Sequence, residues 1–145
     1  YYMGSNLPDG RFASIAGFVN PVIALAGLAA WLRLAHRQLV GEGSRAGAAV
    51  IILLLSSLLP WVMVARCTFL YHYFPCVPFL IAALALCIQR WSREDEPTAG
   101  FAAILLVAGA AVLFVWFYPS LSGLPVGRVW AAAQKWLSSW GFYIL

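Results

Sequence analysis

The sequence predicts an all-α, polytopic membrane protein: four transmembrane helices followed by a short C-terminal interfacial amphipathic helix. Three observations predict it. Of the 145 residues, 63% are hydrophobic and only 10% are charged. A soluble domain carries about 25% charged residues, so these residues cannot build a water-facing shell. Four apolar runs each reach the ~20 residues that a bilayer core requires. Five of the nine basic side chains (Arg33, Arg37, Arg45, Arg90 and Arg93) sit at or between the ends of those runs. The net charge of +4 is therefore read as orienting the helices. No basic run with interleaved aromatics points to a nucleic acid.

The first run covers about residues 15–34, IAGFVNPVIALAGLAAWLRL. Asn20 is a good N-cap and Pro21 suits the first helical position, so regular helix can start as late as Pro21. The second run covers about 46–65, with Pro60 near its end as a kink. The third covers about 69–88 and carries Pro75 and Pro78 in its first half. The fourth covers about 98–117 and is expected to stop at Pro119. Glu94, Asp95 and Glu96 precede it, where acids complement the helix N-terminal dipole. That capping role is preferred to a metal site for the triplet, and no metal or other cofactor is expected.

Beyond the fourth run, Ser122-Gly123 and Pro125 break the helix. Residues 126–142 then carry Val126, Trp130, Ala133, Leu137 and Trp140 at helical spacing, with Arg128, Gln134, Lys135 and Ser138 between them. This pattern suits a helix lying in the membrane interface rather than a fifth span. Small residues such as Gly27, Ala30, Gly109 and Ala110 allow helices to approach closely without a water-driven hydrophobic force. Residues 1–145 are expected to form a single membrane domain.

Basic residues concentrate on cytoplasmic connections, above all in short loops. The loop after the first run and the loop after the third are therefore expected in the cytoplasm. Both ends of the segment, and the stretch beginning at Arg66, are expected to face outward; in a bacterium this is the cell membrane. The chain opens on Tyr1 rather than Met and has no signal-peptide pattern, and it is expected to be a piece of a longer protein. Cys67, Cys76 and Cys87 form no CxxC motif or metal spacing and read as small buried helix residues, although Cys67 and Cys76 are close enough in sequence to pair.

The stretch RCTFLYHYFP, residues 66–75, interrupts this apolar pattern. Taken singly, Arg66 has the ordinary role of an arginine that snorkels to headgroups, and Tyr71 and Tyr73 those of an aromatic belt. Taken together with His72, they place two cationic or donor side chains and two hydroxyls within eight positions at one membrane boundary. Arg66 and His72 can donate to an anion, and tyrosine hydroxyls can add hydrogen bonds. Ionisable groups at such depth are functional candidates. A ligand with a phosphate at headgroup level and an apolar tail, such as a polyprenyl phosphate, matches Arg66, Tyr71, His72 and Tyr73.

Three segments together carry a family resemblance: RCTFLYHYFPCVPFLIA, the opening YYMGSNLPDGRFASIAGFVNPVIALAGLAAWL, and FYPSLSGLPV after the fourth run. They resemble the C-terminal four-helix membrane region of protein O-mannosyltransferases and their bacterial relatives. The family's Gly-Asn-Pro-type turn is here Phe18-Val19-Asn20-Pro21, with Gly17 three positions before Asn20. The resemblance covers nearly the whole chain.

It implies a GT-C type glycosyltransferase that moves mannose from a polyprenyl-phosphate-mannose donor to serine or threonine hydroxyls of a protein acceptor. This segment would supply scaffold and part of the lipid-phosphate donor site, embedded among membrane lipids and completed by the N-terminal half of the same enzyme. The acidic catalytic residues of the family lie in that other half, so no catalytic residue is expected in this chain and the segment alone is expected to be inactive. Asp9 is the one acid on the expected outward side, and LPDGR reads as a turn. Two alternatives remain open: a GT-C relative acting on a lipid or cell-envelope glycan, and a small non-enzymatic lipid-binding membrane protein.

Overall fold

The computed structural model describes residues 2–64, 73–93, 98–134 and 136. It is mostly helical, and within the expected single domain it separates two compact units, Val19–Ala110 and Tyr1–Phe18 with Ala111–Leu145. Three of its helical segments are long and apolar enough to cross a membrane: Arg45–Val62, Phe74–Arg93 and Thr98–Ser122.

In the Val19–Ala110 unit, α1 is Pro21–Leu39. The run expected from residue 15 becomes helical only at Pro21, for a local reason. The Asn20 side chain accepts a hydrogen bond from the Val22 N–H at 3.0 Å, and Pro21 occupies the first turn, where its missing N–H costs nothing. The Asn20 amide also donates to the Ala110 carbonyl at 2.8 Å. α1 continues past residue 34 because His36 and Arg37 in its last turn complement the negative end of the helix dipole.

α2 is Arg45–Val62. The Ser44 hydroxyl caps it by accepting from the Gly47 N–H at 3.0 Å, and Pro60 lies inside its last turn. The Ser56 and Ser57 hydroxyls both donate to the Leu53 carbonyl at 2.9 Å, which lets two polar side chains sit in an apolar helix with their hydroxyl donors satisfied. A 3-10 turn, Phe74–Cys76, leads into α3, Val77–Arg93. The expected start at residue 69 lies outside the described residues; in the described part, Pro75 and Pro78 lack the N–H that a helix interior needs and are tolerated in these first turns. Cys76 and Cys87 are free thiols; Cys67 lies outside the described residues.

α1 packs on both α2 and α3. Its buried stripe is Gly27, Ala30 and Leu34, which repeats at helical spacing. Ala30, Leu34 and Ala83 form the centre of the packing, with Trp31, Val50, Ile51, Leu84, Leu86 and Cys87 around them. Gly27 sets how close the helices come. A Cβ built there would stand 2.7 Å from the Leu80 Cβ and 3.3 Å from the Leu80 carbonyl oxygen.

Gly109 makes a matched control, because a Cβ there meets only Val22 at 3.7 Å, an ordinary contact. Both Gly→Ala changes gain the same helix propensity, about 1 kcal/mol, but Gly27→Ala must also push backbone aside. It is expected to leave the protein less stable than Gly109→Ala by about 1–3 kcal/mol, the usual cost of overpacking. Thermal unfolding of the two full-length variants in detergent measures this, and equal midpoints would remove Gly27 as the contact that sets the spacing.

α4 is Thr98–Ser122. It was expected to stop at Pro119 but runs one turn further. Proline removes only its own N–H, whereas Gly123, with φ of 77°, adopts the left-handed conformation that ends helices. The Gly123 and Leu124 N–H groups both donate to the Pro119 carbonyl, at 3.0 and 3.2 Å. The helix is apolar all round, and Phe101, Ile104, Leu105, Val107, Val112 and Val115 are exposed, the surface a lipid-facing helix presents. At 25 residues and 1.5 Å per residue it is about 37 Å long, enough to cross a hydrocarbon core of about 30 Å with some tilt.

The unit of Tyr1–Phe18 with Ala111–Leu145 corrects the purely helical expectation. Tyr2–Asn6 and Phe12–Ala16 are strands β1 and β2, paired antiparallel with Tyr2 opposite Ala16 and Asn6 opposite Phe12. Asp9-Gly10 is a hairpin turn signal. β2 alternates in burial, with Phe12, Ser14 and Ala16 buried, so Ile15 and Ala16 belong to a sheet rather than to the first span. Val126 bridges to Phe12 through two 2.8 Å backbone hydrogen bonds.

Phe12, Ala16, Phe117 and Ala131 form the core of this unit. The Phe117 ring meets Phe18 and Trp136 edge-on, with centroids 4.8 and 4.9 Å away. α5 is Arg128–Gln134, and residues 135 and 137–142 of the expected interfacial helix lie outside the described residues. Its packed side is Ala131 and Gln134, whereas the expected apolar face included Trp130, which is 40% exposed and meets Trp116 at a tilt of 37°, with ring centroids 4.4 Å apart. Gln134 can be buried because its amide oxygen accepts from the Ser120 hydroxyl at 2.6 Å and its amide N–H donates to the Trp116 carbonyl.

Candidate functional site

The stretch singled out by its chemistry joins α2 to α3. α2 closes with the Met63 N–H donating to the Leu59 carbonyl at 3.3 Å. On the far side of the connection, the Phe74–Cys76 turn packs against α2. Residues 65–72 link α2 to this turn in the chain. Arg66, Tyr71 and His72 lie outside the described residues. Tyr73 is described: it is half-buried, it precedes the 3-10 turn, and its carbonyl accepts from the Cys76 N–H at 2.9 Å. Phe74 beside it is 44% exposed. The structure thus locates one of the four candidate donor-site residues, at the start of a turn braced by α2.

Asp9, the one acid of the expected outward side, sits in the β1–β2 turn. Both of its carboxylate oxygens are engaged by Arg11, one by the backbone N–H at 3.1 Å and the other by the guanidinium at 2.6 Å. The Arg11 side chain, assisted by its backbone N–H, holds the Asp9 carboxyl below its ordinary 3.8. A carboxylate so stabilised is a poor proton acceptor, and its geometry is that of a turn ion pair. Asp9→Asn in the full-length protein is expected to leave catalytic turnover within about two-fold of wild type, since the exposed turn pair it would break is screened by solvent; a hundred-fold loss of turnover with unchanged folding would give Asp9 a catalytic role.

Among the described residues, no group of three or more His, Cys, Asp or Glu converges as for a metal. The remaining described acid, Glu42, is 3.0 Å from Arg37. Arg90 donates to the Glu42 carbonyl at 3.4 Å, and the Arg33 guanidinium lies 5.6 Å from the centre of the Trp91 ring. Arg33, Arg37, Arg90 and Arg93 are thus gathered at one end of the Val19–Ala110 unit, by the C-termini of α1 and α3. Spacing along the chain does not reveal that convergence, because it comes from the packing of α1 on α3.

Comparison with known proteins bears on this architecture. A family model described as the C-terminal four TMM region of protein-O-mannosyltransferase matches residues 1–140. Relatives from two Mycolicibacterium smegmatis strains, ATCC 700084 / mc(2)155 and MKD8, are named polyprenol-phosphate-mannose–protein mannosyltransferase. Each is 27% identical over 125 residues, covering 81% of this chain and 23% of the relative. The chain therefore spans about a quarter of the length of the curated relatives it matches. No solved structure matches the chain.

Proposed function

Because the chain belongs to the family of C-terminal four-transmembrane regions of protein O-mannosyltransferases, we propose that it is the C-terminal membrane region of an enzyme that moves mannose from polyprenyl-phosphate-mannose to protein Ser/Thr hydroxyls. The match over residues 1–140 carries this reading. In the reaction a bond forms between the acceptor oxygen and the anomeric carbon, and the bond from that carbon to the phosphate oxygen breaks. The acceptor proton passes to a carboxylate, and the polyprenyl phosphate leaves with its added negative charge. The N-terminal half of the enzyme supplies the carboxylate. This region supplies scaffold, a share of the lipid groove, and Arg66, Tyr71, His72 and Tyr73 as donor-phosphate contacts. A guanidinium aimed at a leaving phosphate stabilises charge that develops in the transition state.

In this reading α1 is the fourth span. At 19 residues it is about 28 Å long, close to the hydrocarbon thickness. The α1–α2 and α3–α4 connections face the cytoplasm, both ends of the segment face outward, and residues 126–142 lie in the outer interface. The arginines gathered at the α1 and α3 C-termini support this orientation through the positive-inside rule. Cysteine placed at Ser44 or Ser92, both exposed, is expected to react with a membrane-impermeant reagent only from the cytoplasmic side, and cysteine at Ser122 only from outside. Labelling at Ser92 from outside would reverse the orientation and move the donor site to the wrong side of the membrane.

A further inference from the structure

The α1 and α3 C-terminal turns and the N-terminus of α2 enclose a cavity of about 330 Å³. Among its described lining residues, Arg37, Arg90 and Arg93 outnumber one carboxylate, Glu42; Glu94, Asp95 and Glu96, which follow Arg93 in the chain, lie outside the described residues. Arg37 is only 17% exposed and gives one guanidinium nitrogen to Glu42. Its Nε is buried without a hydrogen-bond partner among the described residues. Arginine offers five donors in a fixed fork suited to phosphate, and a buried donor left unsatisfied is costly. Ser44 and Gly47, at the positive end of the α2 dipole, also line the cavity.

A second hollow adjoins it. An apolar groove of about 310 Å³ runs between α1 and α2, lined by Leu39, Ala48, Ile51 and Ile52, and Gln38 borders both spaces. Leu39 and Ile52 are 86% and 64% exposed. Arginines that served only to orient the helices would need no cavity and no adjoining groove.

We propose that the cavity and groove together bind one anionic phospholipid of the surrounding bilayer, its phosphate against Arg37 and Arg90 and an acyl chain along α1 and α2. Basic pockets between membrane helices suit anionic headgroups in this way, and the groove supplies what a free phosphate would not use. The site lies at the opposite end of α2 from the donor stretch and is independent of the donor reading.

The test uses the purified, delipidated full-length enzyme in detergent, with lipid binding read by native mass spectrometry. Dioleoyl phosphatidylglycerol is compared with dioleoyl phosphatidylcholine, and glycerol phosphate serves as the headgroup without chains. Phosphatidylglycerol is expected to bind at least five-fold more tightly than phosphatidylcholine, with glycerol phosphate far weaker. Each arginine removed should cost about five-fold in that preference, so Arg37→Gln/Arg90→Gln should abolish it while Arg128→Gln leaves it intact. If the double substitution unfolds the protein, Arg93→Gln, at an exposed lining position, is expected to lower the preference by about five-fold through the lost charge. Equal binding of the two lipids by the wild type, a preference that survives loss of the arginines, or glycerol phosphate binding as tightly as the lipid would each overturn the proposal.

Discussion

Purified alone, the 145-residue chain is expected to transfer no mannose from a polyprenyl-phosphate donor to a Ser/Thr-rich peptide. Addition of the N-terminal half is expected to restore turnover. Attack by a hydroxyl requires a base held beside the anomeric carbon, and positioning together with proton transfer accounts for many orders of magnitude in rate. The acids of this chain are Asp9, Glu42, Glu94, Asp95 and Glu96. Asp9 is held by Arg11 on both oxygens, and Glu42 is paired with Arg37 beside the basic cavity. Glu94, Asp95 and Glu96 lie outside the described residues, in the α3–α4 connection that the proposed orientation turns to the cytoplasm. The fragment is nevertheless expected to fold, because the α1–α3 packing around Gly27, Ala30 and Ala83 is internal to it. Turnover by the fragment alone, lost on Asp9→Asn, would place the active site in this half of the enzyme.

Arg66→Ala in the full-length enzyme is expected to weaken donor binding by roughly 10- to 150-fold, since a charge-assisted contact contributes about 1.5–3 kcal/mol. His72→Ala is expected to act in the same direction with a smaller effect. Tyr71 and Tyr73 flank His72 and would point to different sides of a helical stretch, so only one hydroxyl is expected to contribute. The measurement is donor affinity together with turnover, with thermal midpoint as the folding control. If both alanine variants bind donor and turn over like wild type, Arg66 and His72 are headgroup anchors and the cluster is an aromatic belt.

Much of the fold was legible because its causes are local. The scarcity of charge is a property of composition alone and is sufficient to assign the chain to a membrane. Asn20 and Pro21 mark the start of α1 because a cap and a missing N–H act within one turn. The turn at Asp9-Gly10 was legible too, but the two strands that flank it were not. The second strand was absorbed into an apolar run because Ile15 and Ala16 suit a membrane helix as well as a sheet. The four candidate donor-site residues were identified by residue type and proximity in sequence. The structure locates only Tyr73 among them.

What the sequence determined by itself, then, is the membrane class, the start of α1 at its cap and proline, and the ordered motifs that carry the family. Each rests on composition or on neighbours a few positions apart. The tertiary structure decided which polar groups could be buried and which charges would meet. Gln134 reads from its neighbours as part of a polar helix face, yet it is buried because Ser120 and the Trp116 carbonyl satisfy it. Arg37 and Arg90 read as separate loop charges, yet they share one cavity because α1 meets α3 at Gly27, where the missing side chain lets the two helices close to contact. These outcomes depend on partners far away in the chain, and a desolvated amide or a guanidinium cluster acquires its energy only when those partners arrive.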